Sequence, residues 1–126
     1  MTTTEHLQRI KAKCLANLAI AEKRTAGKWT LGDENNSHYE ICMGDAVALI
    51  ERQDRYGLHM AISREEMRAN GGFIIECSGA AEAGWRSTIA AINLCIAPDS
   101  RYQEMYLIAN EPMVSHIIAA WPEELL

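Results

Sequence analysis

With 126 residues, 48% of them apolar, the chain is long enough to close one modest core and too apolar to be disordered throughout. The formal charge of -5 argues against generic nucleic-acid binding, and aromatic residues at 6% leave Ala, Ile, Leu and Met to supply most of the packing. No stretch approaches the roughly 18 consecutive apolar residues of a membrane span, and the start "MTTTEHLQRIKAK" lacks the apolar block of a secretion signal, so the expectation is a cytoplasmic protein.

In chain order, "TEHLQRIKAKCLANLAIAEKR" predicts an amphipathic helix within residues 1–26. Thr3 or Thr4 can cap it, and Leu7, Ile10, Cys14, Leu18 and Ala21 recur at helical spacing, with Leu15 widening the stripe. Lys23 and Arg24 suit the last turn, where unpaired carbonyls favour positive charge, and Gly27 is a natural stop. Charge is uneven here: residues 1–28 carry six basic side chains against Glu5 and Glu22, while the remainder is acidic. Such polarity can orient a partner or pack two copies head to tail.

Residues 29–51 change grammar. "LGDENNS" is rich in turn formers, and "HYEIC" and "AVALIE" read as two strands joined through "MGD". Tyr39 and Ile41 share one face of the first strand. Val47 and Leu49 share a face of the second, opposite Ala46, Ala48 and Ile50. An isolated hairpin is marginal in water, so helices should cover one face.

A helical region follows over residues 63–121. Ser63 and Glu66 have capping-box spacing. Met67, Ile74 and Cys77 share a face with Phe73 beside it. Gly71 and Gly72 each weaken a helix by about 1 kcal/mol relative to Ala, which is tolerable where another element approaches closely or the helix kinks. "SGAAEAGWRSTIAAINLCI" continues this helix or restarts it near Gly79, with Trp85, Ile89, Ile92 and Ile96 in line, and Pro98 ends it. Asp99 or Ser100 caps a further helix carrying Tyr102, Met105 and Tyr106. Pro112 opens a last helix that aligns Met113, Ile117 and Ala120 before Pro122.

Chemistry-bearing motifs are few. The cysteines Cys14, Cys42, Cys77 and Cys95 form no close pair and read as reduced, buried thiols. His38, Glu40 and Cys42 alternate along one strand and are the metal-ligand candidates, without a recognisable fourth ligand. His6, His59 and His116 stand apart from other ligand types. "ECSGAA" around Cys77 and Ser78 is no nucleophile motif, and Glu65, Glu66 and Glu76 read as capping and solvent-facing charges. "RANGGF" lacks the strand–loop–helix order of a phosphate loop, and no cofactor is implied. Trp29, Trp85 and Trp121 are large packing anchors. Trp121, with Ile117 and Met113, is the expected interface.

The pieces "RTAGKWT" and "ANGGFII", flanking the hairpin, resemble small uncharacterised bacteriophage and prophage accessory proteins. These join an N-terminal amphipathic helix to a G-x-W turn, a short hairpin and a helix carrying N-x-x-F-I. Gly27 and Trp29 match the first element, and Asn70, Phe73 and Ile74 the second. Ser78 stands where such sequences often place an arginine, and Glu82 near an expected proline. The resemblance spans about two thirds of the chain and implies an accessory protein with no assigned activity and no catalytic residue.

The expectation is therefore an α+β, mainly helical single domain over residues 1–126, with about four helices packed on a short antiparallel β-hairpin. Its expected role is protein interaction with self-association as a homodimer, and no membrane partner. Two alternatives stand beside it: a small metal-binding or catalytic protein using His38, Glu40 and Cys42, and a nucleic-acid modulator acting through the basic residues 9–28.

Overall fold

The computed structural model describes residues 1–24, 29–34, 38–43, 45–52 and 61–126, with the side chains of residues 33 and 45–47 also outside that description. In order come α1 (Thr3–Glu22), β1 (Thr30–Glu34), β2 (His38–Met43), β3 (Asp45–Glu51), α2 (Arg64–Cys95), α3 (Gln103–Ala109) and α4 (Glu111–Ala120). Short 3-10 turns occupy Ser100–Tyr102 and Glu123–Leu125. The fold is α+β and mainly helical, with four α-helices and a short antiparallel sheet, as the sequence predicts. The chain divides into two compact units, Met1–Lys23 with Glu82–Leu126, and Arg24–Ala81. α2 contributes residues to both.

The first unit is helical. α1 begins one residue earlier than expected: Thr2, not Thr3 or Thr4, is the N-cap, because only Thr2 has Glu5 three positions on. Thr2 Oγ1 accepts the Glu5 amide at 3.1 Å, and the Thr2 amide donates to the Glu5 carboxylate at 2.7 Å. That backbone bond, followed by the hydroxyl contact, holds the Glu5 carboxyl below the usual glutamate range. The stripe Leu7, Ile10, Cys14 and Leu18 is buried. Leu15 does not join it and stays 49% exposed. Lys23 is the C-cap, and the stop expected at Gly27 lies outside the described residues.

Leu7, Ile10 and Cys14 meet Ile92 and Cys95 of α2 and Val114 of α4. Burying each large aliphatic side chain contributes about 1.5–3 kcal/mol. Burial pushes the Cys14 and Cys95 thiols up, which keeps them protonated and inert. Polar ties cross the unit: Lys11 Nζ donates to Asn93 Oδ1 at 2.7 Å, and His6 Nε2 lies 2.8 Å from the Trp121 carbonyl. A carbonyl only accepts, so Nε2 is the protonated nitrogen in that bond.

The second unit pairs the sheet with the first part of α2. Strand order is β1-β2-β3, antiparallel throughout, so the predicted β2–β3 hairpin gains an additional strand. β1 arises in the stretch read as loop, because Gly and Asp depress strand propensity while pairing with β2 overrides it. Gly32 is required there: a Cβ would run into Cys42 Sγ. The register shifts by one residue between Leu31 and Glu34, a bulge at which such a glycine is expected. A further shift lies between Ile41 and Cys42.

Ile41 of β2 and Met67 of α2 are fully buried. Gly71 is buried as well, and a Cβ on it would stand 2.9 Å from Leu31 Cδ2 and 3.6 Å from Ile50 Cγ1. Close approach, to sheet side chains, is thus the reason for this glycine. Gly72, Gly79 and Gly84 face open space, and the helix runs unbroken for 32 residues rather than restarting at Gly79. Ser63 Oγ caps it by accepting the Glu66 amide at 3.1 Å.

Candidate functional site

The sequence C-terminal to α2 builds the most defined concave surface in the helical unit. α2 ends at Cys95 ahead of Pro98, and its end is latched by Gln103. The Gln103 amide donates to the Cys95 carbonyl at 2.7 Å, and its oxygen accepts the Ala97 amide at 2.9 Å. Asp99 caps the following turn by accepting the Arg101 amide at 2.9 Å, and the Arg101 guanidinium closes on the same carboxylate at 2.7 Å. These contacts, the side-chain one first, hold the Asp99 carboxyl below its usual range.

Asn110 makes the corner between α3 and α4. Its side-chain amide donates to the Tyr106 carbonyl at 2.8 Å and, more weakly, to the Leu94 carbonyl at 3.4 Å. Pro112 occupies the first turn of α4, where its missing N–H forfeits no helical bond. The short helices therefore leave the corner with fixed directions.

Between them lies a groove of about 470 Å³. α3 supplies Glu104, Leu107 and Ile108. α4 supplies Glu111, Val114, Ser115, Ile118 and Ala119, and Thr3 of α1 closes one end. The α4 set falls at i, i+3, i+4, i+7 and i+8, a single helical face. The floor is apolar, and the charged lining residues are both acidic. Ser115 Oγ donates to Glu111 Oε1 at 2.6 Å and holds that carboxylate at the rim. Ile108 is 69% exposed.

The predicted interface residues fall elsewhere on α4. Met113, Ile117 and Trp121 are half-buried against the core of their own unit, so this helix packs within its own chain. The spacing that predicted their shared face is correct, and the face is turned inward. Trp85 packs against the same core. Trp29 is half-buried with the Arg24 guanidinium 5.6 Å from its ring centroid.

His38, Glu40 and Cys42 alternate along β2, the central strand, with Cys42 Sγ 3.8 Å from Glu40 Oε2. Among the described residues, no three His, Cys, Asp or Glu side chains are placed to hold one metal ion. His59 lies outside the described residues. Cys42 and Cys77 are half-buried, and none of the four cysteines is in a disulfide.

One charged cluster was not foreseen. Glu34 at the end of β1 receives Arg64 Nε at 3.1 Å on one oxygen and Arg68 Nη2 at 3.0 Å on the other. Arg68 first, then Arg64, holds the Glu34 carboxyl below the ordinary glutamate range. The i, i+4 spacing of the arginines was visible, but the acid that they share comes from a strand 30 residues away. The cluster ties β1 to the start of α2.

Among the described residues, no helix is long and apolar enough to cross a membrane. Comparison of the chain with protein-family models, with curated proteins and with solved structures found no match.

Proposed function

We propose that this chain is a cytoplasmic protein-interaction module that self-associates, and that the groove between α3 and α4 is its docking surface. The carrying observation is the groove itself: an apolar floor of Leu107, Ile108, Val114 and Ile118 with Glu104 and Glu111 at its edge. A floor of this kind suits the apolar face of an incoming helix, whose side chains recur at the same three- and four-residue intervals. The phage-type accessory role rests on the resemblance of "RTAGKWT" and "ANGGFII" alone. It agrees with an interaction module, which needs no catalytic residue.

Sedimentation velocity across a concentration series tests the reading. The wild-type chain should associate reversibly, and Ile108→Asp should move the equilibrium toward monomer with an unchanged far-UV spectrum, since the side chain is already exposed. A strict monomer at high concentration removes self-association.

A further inference from the structure

The outward face of α1 has the complementary chemistry. Opposite its buried stripe, Arg9, Lys13, Ala16, Ile20 and Lys23 follow one another at intervals of four, three, four and three residues, which places them in one row along the helix. All five are exposed, Ile20 at 70%. The helix therefore has two faces with different purposes. One carries Leu7, Ile10 and Cys14 into the core. The other presents the bases Arg9, Lys13 and Lys23, with the exposed Ile20 among them.

The groove carries the opposite charge. Along α4 it runs from Glu111 to Ile118, seven residues on; along α1 the row runs from Lys13 to Ile20, also seven. Seven residues of helix span about 10.5 Å. An α1 laid along α4 can thus set Lys13 near Glu111 and Ile20 near Ile118 in one register.

We infer that the occupant of the α3–α4 groove is the outward face of α1 from a second copy of this chain. This rests on the reading of the groove as a self-association surface and names what fills it. The contact is heterologous, because the two surfaces are different parts of one chain. Copies therefore join head to tail, either closing on each other reciprocally or adding further copies. The uneven charge of the sequence, basic at the start and acidic beyond it, becomes the feature that sets direction. Ion pairs at the groove edge then govern encounter, while Ile20 supplies the apolar contact.

Charge reversal with complementation tests it by sedimentation velocity at low salt. One variant carries Arg9→Glu and Lys13→Glu, the other Glu104→Lys and Glu111→Lys. Each alone should associate at least about tenfold more weakly than wild type, because like charges then face each other across the contact. An equimolar mixture should regain association, since each variant's altered surface meets the other's with opposite charge. High salt should weaken the wild-type complex in the same direction. If the α1 variant associates as wild type does, or the mixture regains nothing, α1 is not the occupant, while groove-mediated self-association stands. A monomeric wild type overturns that broader reading and the inference with it. Should the doubly reversed groove lose helical signal, the single pair Lys13→Glu and Glu111→Lys carries the same test.

Discussion

Val placed at Gly71 and at Gly72 in turn gives the sharpest check on how α2 meets the sheet. The substitution changes intrinsic helix propensity equally at both positions, favouring the folded state by about 0.3–0.5 kcal/mol. What differs is the surroundings. At Gly72 a Cβ meets nothing within 4 Å, so the propensity gain should appear undiminished. At Gly71 the Cβ would lie 2.9 Å from Leu31 Cδ2, closer than real Cβ contacts, and 3.6 Å from Ile50 Cγ1. Leu31 can swing its methyl aside for a single added carbon, so Ala is a lenient probe there. The two γ-methyls of Val demand more room, and overpacking of this kind costs about 1–3 kcal/mol. Urea denaturation followed by far-UV circular dichroism should therefore separate the two variants by roughly 1 M in midpoint, taking a denaturant slope of about 1–3 kcal/mol/M. Equal midpoints with equal slopes would refute the claim that Gly71 exists for close approach to β1 and β3.

Gln103→Ala removes both bonds of the latch at the end of α2 and should lower stability by about 1–3 kcal/mol in the same assay. Gln103→Glu should be worse than an isosteric change suggests, because it replaces the donor facing the Cys95 carbonyl with an acceptor. Glu34 gives a pH dependence. Its folded pKa is depressed, so its contribution is present above the ordinary glutamate pKa and is lost as pH falls through the folded value. Glu34→Gln should therefore flatten the acid limb of a stability–pH curve below about pH 4 and leave the neutral limb parallel to wild type. An unchanged acid limb would show that Arg64 and Arg68 do not hold the carboxylate in solution. Alkylation by iodoacetamide under native conditions, read by mass spectrometry, should label Cys42 and Cys77 ahead of the buried Cys14 and Cys95. Early labelling of Cys14 would contradict the packing of α1.

The inward face of α1 was legible because Leu7, Ile10, Cys14 and Leu18 recur at a period only a helix satisfies. The same holds for Trp85, Ile89, Ile92 and Ile96, of which Ile92 is fully buried and the others partly buried around it. Ser63 as a cap and Pro112 at a helix start were legible for local reasons, since capping and the missing N–H act within a few residues. β1 was not. Its composition is that of a turn, and it becomes a strand because β2 offers a ladder and Gly32 fits beneath Cys42. The groove escaped notice for a related reason. Leu107, Ile108, Val114 and Ile118 are ordinary apolar residues, and only the corner at Asn110 turns their two rows into opposite walls.

For Met113, Ile117 and Trp121 the sequence determined that they share a face, and the tertiary structure alone decided that the face is turned into the core. Periodicity reports which residues lie together on a helix. It carries no information on what lies opposite, which depends on contacts between residues distant in the chain, as His6 with Trp121 shows. The charge order along α1 is likewise written in the sequence from Arg9 to Ile20. The groove lining from Glu111 to Ile118 forms a wall only after the chain has turned the corner between α3 and α4.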